Sequence, residues 1–379
     1  MNSISTIKFI FLFQAIASTA MFTRIPDIQR ALGLEETELG LALMGQPAGA
    51  LSMYFVSSYI VERFGTKTIT LWGQPTLVIS TILVAIAPNI WSATLCLFLF
   101  GSSFALTNIT MNVEADRVEA TTGKRVMNTC HGLWSMGFLV ASLGGVVARG
   151  LDIPVWVHFL LTVPIILLAM RMVVWPMQVA KERAHGNKNL KKPLMAVPTI
   201  TTMALVGFGI SAVLLESGVR SWSVIFMRDS FDTVPWLETL TLPAFFFTMA
   251  MGRIFSDKWI EAYGPQKIAV VTILTAISGL CMVIWSPNLV VALIGFGVLG
   301  LGICVIYPLT ISAAAQIGDR PSSQNVTSVT MVTSFAMLFA PAMMGMIAGE
   351  YGIRISFAIF LPLLFLSLMS TKLLNRQPN

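Results

Sequence analysis

Two short stretches decide the fold: SYIVERFGTK at residues 58–67 and DKWIEAYGPQK at residues 257–267. Aligned, they pair Ile60 with Trp259, Glu62 with Glu261, Phe64 with Tyr263 and Gly65 with Gly264, at an offset of 199 residues. The same offset carries Gly101 onto Gly300. Each stretch is a charged, glycine-bearing turn between two long apolar runs. The chain therefore reads as a duplication whose halves run in the same direction.

The runs around those turns settle the class. Hydrophobic residues make up 55% of the 379 and charged residues only 11%, against about 25% charged in soluble domains. Apolar windows fall at 7–23, 38–60, 68–87, 91–113, 128–149 and 155–174, then 197–220, 236–254, 267–286, 288–313, 324–348 and 354–373. About 20 apolar residues suffice to cross a bilayer core, so the expectation is an all-α integral membrane protein of twelve spans. Only Lys8 precedes the first run and no small-residue cleavage site follows it, so that span is expected to be retained. With cytoplasmic termini, inner segments hold 18 Lys and Arg and outer segments 6. That asymmetry satisfies the positive-inside rule, and it accounts for the net charge of +6 without nucleic acid. The polar, basic stretch KERAHGNKNLKKP marks a linker. The expected organisation is an N-terminal bundle over 1–174, a cytoplasmic linker over 175–196 and a C-terminal bundle over 197–379.

A parallel six-plus-six duplication is the architecture of major facilitator transporters, and the turns carry the resemblance. SYIVERFGTK resembles that superfamily's loop signature, Gly-x-x-x-Asp-Arg-x-Gly-Arg-Lys, through Glu62, Arg63, Gly65 and Lys67, with Ser58 and Thr66 departing from it. GRIFSDKWIEAYG (252–264) resembles the second-half counterpart through Gly252, Arg253, Asp257, Glu261 and Gly264. Four further stretches, at 23–40, 111–137, 216–229 and 300–316, resemble a bacterial subgroup described as fucose-permease-like or rhizopine-transport-like. The resemblance implies alternating access in the inner membrane, with the signature turns as gating elements. Glu62, Arg63, Gly65, Arg253, Asp257, Glu261 and Gly264 are the gating candidates, latching one state of a rocking bundle.

Polar side chains inside spans are the candidates for solute contact, because they usually face the bundle interior or a cavity. Such residues are Gln14, Gln46, Gln74, Asn108, Asn112 and His131 in the first half, and Glu216, Tyr307, Ser312 and Asn325 in the second. Asn108 and Asn112, four apart, share one helical face. Their carboxamides could bind a polyol or simply join neighbouring helices. The resemblance places a proton-carrying acid of related sugar permeases at Asn108, which cannot titrate. Between the fourth and fifth spans, Asp116, Arg117, Glu119, Lys124 and Arg125 read as a charged hinge, and Glu114 as solvated or paired with Arg117. His131, with Trp134 three residues on, reads as a packing residue or as a proton or solute contact. Glu216, read as lying toward the outer half of the seventh span, is either paired with Arg220 at i+4 or a coupling carboxylate that takes up and releases a proton. Trp222 follows from the subgroup resemblance. Tyr307-Pro308 interrupts the tenth span, where a freed carbonyl must find a partner. The tenth-span glycines and Gly144-Gly145 read as close-approach positions.

The expectation is a secondary transporter of a small organic solute, a sugar or sugar-like polyol foremost, with proton symport as one form of it. The alternatives are a drug or metabolite exporter and a non-transporting membrane sensor. No cofactor, metal or nucleic acid is expected, and the chain is expected to act as a monomer. Cys96, Cys130, Cys281 and Cys304 read as small buried hydrophobes without metal spacing. No Walker, Gly-x-Ser-x-Gly or His-Glu-x-x-His pattern occurs, so an enzyme is not expected.

Overall fold

A computed structural model describes residues 3–124, 126–180, 197–319 and 322–375; most of the expected linker, 181–196, lies outside them. The described residues are helical with no strand. The chain divides into two compact units, residues 1–188 with 234–239, and residues 189–233 with 240–379.

The first unit is built from α1 (Ser3–Thr23), α2 (Ile25–Leu32), α3 (Glu36–Leu43), α4 (Gly45–Ala85), α5 (Ile90–Thr122), α6 (Met127–Gly150) and α7 (Val155–Ala169), which runs on as a π-turn over Met170–Val174. α4 is two spans end to end, divided at Gly65, whose φ of 74° and ψ of 156° belong to a region open essentially to glycine alone. A short helix, α9 (Pro235–Thr239), also belongs to this unit, although the chain on either side belongs to the other.

The second unit contains α8 (Ile200–Ser230), α10 (Thr241–Tyr263), α11 (Pro265–Ile284), α12 (Leu289–Ile303), α13 (Ile306–Ala315), α14 (Ser322–Tyr351), α15 (Ile353–Ala358) and α16 (Phe360–Ser370). Across both units, eleven helical segments among the described residues are long and apolar enough to cross a membrane. α10 is a further long helix of 23 residues, and it carries Arg253, Asp257, Lys258 and Glu261.

The duplication extends to geometry. Gly264 has φ 84° and ψ 155°, matching Gly65. Asn89 and Asn288, again 199 apart, cap α5 and α12 by accepting the N–H of Ser92 and of Val291, both at 3.0 Å. Gly101 packs so closely on α4 that a Cβ would overlap the carbonyl oxygen of Gln46, and Gly300 stands in the same relation to Phe245. Gln46 and Phe245 are themselves one repeat apart. Each helix pair approaches through a missing side chain.

Three boundaries differ from expectation, and each difference moves a candidate residue. α5 continues to Thr122, so Asp116, Arg117 and Glu119 lie in helix, and only a short turn beginning at Gly123 (φ 67°) separates α5 from α6. The charges lowered the apolar signal there, while continuous backbone hydrogen bonding extends the helix. α8 runs ten residues past its expected end, which puts Glu216 at its middle rather than in its outer half. α10 ends at Tyr263, which puts Arg253 at mid-helix rather than beside the signature turn. Gly144 meets nothing within 4 Å, so it is not a close-approach position; Gly145, against the Thr23 side chain, is.

Candidate functional site

In the first unit, α1 and α6 pack together and bring Gln14 to Trp134. The Trp134 indole donates to Gln14 Oε1 at 2.7 Å, while Gln14 Nε2 is buried without a partner among the described residues. His131 lies one turn from Trp134 on α6, exposed, with its ring edge-on to Phe11 at 5.2 Å. On α5, Asn112 Nδ2 donates to the Asn108 backbone oxygen at 2.8 Å and to its Oδ1 at 3.3 Å, and both residues are half-buried. Their spacing does place them on one face. Thr110, by contrast, is buried against the Thr70 hydroxyl at 3.2 Å and joins α5 to α4. Gln74 is buried and donates to Ile10 O at 3.4 Å, leaving its Oε1 without a partner. Gln46 is half-buried at the start of α4.

In the second unit, Glu216 accepts from Arg220 Nη2 at 2.6 Å through Oε1, and from Arg253 Nη2 at 3.3 Å through Oε2. Arg253 Nε also donates to the Cys304 carbonyl at 3.4 Å. Sequence explains that carbonyl: Pro308 has no N–H to return to residue 304. The helix duly breaks between Ile303 and Ile306, with half-buried Tyr307 at the break. Two sequence candidates leave the site. Trp222 is wholly buried, its indole nitrogen unpaired among the described residues, because α8 turns that face into the unit's core. Asn325 is buried and donates to Asp319 Oδ1 at 2.8 Å, tying the start of α14 to the preceding loop.

The signature end of the first unit is ordered by two carboxylates. Glu119 Oε1 accepts the N–H groups of Val126 and Met127, at 2.6 and 2.9 Å, at the start of α6. Glu114 is buried rather than solvated. Thr66 Oγ1 donates to it at 3.0 Å and Ala180 N at 2.7 Å, with Arg117 3.8 Å away. It lines a cavity of about 320 Å³ with Thr6, Val118 and Met177. Glu114→Ala should therefore lower stability by about 1–3 kcal/mol, the cost of leaving buried donors unpaired, read as a lower midpoint of thermal unfolding in detergent. An unchanged midpoint would remove this structural role. Of the gating candidates, Glu62 and Glu261 are exposed with no ion pair among the described residues. Arg63 donates to the Tyr59 hydroxyl at 2.7 Å. The Asp257 side chain lies outside what is described.

At the opposite end of the first unit stands a buried charge cluster that sequence reasoning missed. Arg149 Nε lies 3.2 Å from Asp27 Oδ2, and its Nη2 lies 2.7 Å from Glu238 Oε2 on α9. Its Nη1 donates to Pro235 O at 2.8 Å and Thr239 Oγ1 at 2.9 Å. Arg24, 3.1 Å from Asp27, also donates to the Ile153 carbonyl. His158, on α7, is buried with Nδ1 unpaired among the described residues. Arg24 with Asp27, and Asp27 with the exposed Arg30 at 3.8 Å, both at i,i+3, were close enough in sequence to signal a pairing.

A helical duplication long and apolar enough to span a membrane, with polar groups at mid-span, has the architecture of a solute carrier. The Major Facilitator Superfamily model matches residues 8–316 and 221–379, and the chain belongs to that superfamily. It is a multi-pass membrane transporter, not an enzyme. Similar proteins include an uncharacterised transporter, y4wD, of Sinorhizobium fredii (25% identity, 92% of each chain). Membrane protein MosC of Rhizobium meliloti is 24% identical over 93% of this chain and 85% of its own. Among solved structures, an inward-facing bacterial homologue of the lysosomal transporter Spinster aligns with a TM-score of 0.79 at 13% identity, covering 98% and 97% of the two chains. A D-xylose–proton symporter aligns at 0.74 and 10%, covering 99% and 97%. Those identities speak for the fold alone.

Proposed function

We propose that this transporter moves a small organic solute, a sugar or sugar-like polyol, across the bacterial inner membrane by alternating access of its two bundles. These span residues 1–174 and 197–379, joined by the linker 175–196, and the chain works as a monomer. Both termini are cytoplasmic: moving Arg220 and Arg253 to mid-helix takes one residue from each side of the basic count and leaves its asymmetry intact.

The observation that carries the solute class is the Asn108–Asn112 face, two half-buried carboxamides one turn apart on α5. Carboxamides there offer donors and acceptors to a cargo rich in hydroxyls, and the wholly buried Gln14 holds the half-buried Trp134 indole in place. Protons couple through Glu216 or His131. Proton uptake at Glu216 requires its two ion pairs to separate, which a conformational cycle can supply.

A solute panel by thermal shift on the purified chain, followed by proteoliposome uptake with and without a pH gradient, tests the reading. Asn112→Ala and Asn108→Ala should each lower uptake by about tenfold or more, the loss of one to two hydrogen bonds to solute. Uptake unaffected by both substitutions would remove the amide face from the site. Uptake indifferent to a protonophore and to Glu216→Gln would sink symport. If Glu62→Gln and Gly65→Val leave transport unchanged, the signature turns are not latches.

A further inference from the structure

α9 is seated on one unit and threaded on the other. Residues 234–239 belong to the first unit, whereas 189–233 and 240–379 belong to the second. Residues 231–234 separate α9 from α8, and Leu240 alone separates it from α10. Each residue of such a link reaches only about 3.8 Å. A displacement of α10 from α6 larger than that link allows must draw α9 off its seat.

The seat is buried, polar and able to release. α9 packs on α6, where Trp236 lies over Gly150: a Cβ at Gly150 would meet the Trp236 Cβ at 3.4 Å. Glu238 and Thr239 are buried. Arg149 serves both: its Nη1 donates to Thr239 Oγ1 at 2.9 Å and to Pro235 O at 2.8 Å, and its Nη2 lies 2.7 Å from Glu238 Oε2. The same guanidinium meets Asp27, with Nη2 donating to Oδ1 at 3.3 Å, and Asp27 also meets Arg24 and the exposed Arg30. Asp27 sits on α2, so it stays with Arg149 when α9 leaves. Arg149 therefore keeps a carboxylate, which avoids the cost of a buried charge with no partner. Glu238 departs on a segment whose Asp232, Val234 and Trp236 are already exposed. The signature turns offer no counterpart among the described residues, where Glu62 and Glu261 are exposed without an ion pair.

We propose that α9 is a latch: docked through Arg149 it holds one state of the chain, and it lifts off α6 once in each transport cycle. It lies at the end opposite the signature turns and adds a gating element to the proposed transport. Arg149 and Glu238 set how readily it opens, and neither touches the solute. The idea rests on the transport reading only where uptake is measured.

Gly150→Cys with Trp236→Cys tests it on the full chain. The 3.4 Å separation is close to the ~3.5–4.5 Å between Cβ atoms of a disulfide, so oxidation should bridge α9 to α6 with little movement. The probes are D-glucose, D-xylose and myo-inositol in proteoliposomes. Uptake of any that the unmodified chain carries should fall about tenfold or more on oxidation, a usual size for coupling between states, and return on reduction. The unmodified chain, with its four native cysteines, is the oxidation control. A bridged protein that transports as fast as its reduced form would overturn the latch, α9 then being a fixed pivot. Amide hydrogen exchange on purified protein needs no solute. Glu238→Gln should raise exchange over 231–240 by about fivefold or more and lower it at the signature turns, 58–67 and 257–267. The disulfide should do the reverse, which keeps the test decisive if Glu238→Gln fails to fold. Unchanged exchange, or a rise confined to 231–240 as in local fraying, would overturn the proposal. Opposed changes at the two ends with no probe taken up would uphold the latch and count against the solute class instead.

Discussion

Arg149→Gln should cost about 3–5 kcal/mol of stability, the range for removing one partner of a buried ion pair. Arg149 has a side chain 1% exposed and meets Asp27 at 3.2 Å and Glu238 at 2.7 Å. Without it, Asp27 keeps Arg24 at 3.1 Å, and Glu238 loses the guanidinium 2.7 Å from it. The backbone of α9 also loses one of two side-chain donors at Pro235 O, the other being the Thr239 hydroxyl. Much of the effect is a desolvated charge left unpaired, so it should be partly reversible. Arg149→Gln with Glu238→Gln should unfold at a higher temperature than Arg149→Gln alone, and a double-mutant cycle isolates that coupling. Thermal unfolding of purified protein in detergent reads all three variants. Equal midpoints for the single and double substitutions would show that the cluster is not energetically coupled.

Gly101→Val and Gly300→Val should each prevent accumulation of well-folded protein. A side chain at Gly101 would overlap the backbone of Gln46, and one at Gly300 the backbone of Phe245. Backbone cannot rotate aside as a flexible side chain can, so the cost exceeds the ~1–3 kcal/mol typical of core overpacking. Two positions one repeat apart, in different units, should fail alike. Gly144→Ala is the control: its surroundings are open, and alanine favours helix by ~1 kcal/mol over glycine. Size-exclusion profiles of detergent-solubilised protein should be monodisperse for the control and aggregated or absent for the other two. A monodisperse Gly101→Val protein with an unchanged midpoint would refute the close-approach argument.

Most of the fold was legible because its signals are local and periodic. Apolar runs long enough for a bilayer mark the spans, and glycines that need positive φ or close approach recur at one offset. Helix ends were less legible. α5, α8 and α10 all run past their apolar windows, because backbone hydrogen bonding continues through charged residues that a hydropathy window rejects. That error mattered. It set Glu216 and Arg253 in different layers, when the longer helices bring both to mid-span.

Of the candidate site, the Asn108–Asn112 pair and the Glu216–Arg220 pair followed from i,i+4 spacing on one helix. Arg253 reaching Glu216 from α10, Trp134 reaching Gln14, and the burial of Trp222 and Asn325 did not follow, because each depends on which face of one helix meets another. Glu114 shows the same limit in part: its sequence position suggested solvent or a pairing with Arg117, which does lie 3.8 Å away, but the packing of Thr66 and Ala180 that buries it did not follow from sequence.

By itself, then, the sequence determined a duplicated, membrane-spanning helical chain of this superfamily, since hydropathy, repeat offset and turn chemistry are properties of consecutive residues. Only the tertiary structure decided which charges are shared, and that Arg253 is held between a proline-freed carbonyl and a carboxylate. Those contacts join residues 37 and 51 positions apart in the chain, and no local periodicity encodes a distance of that kind.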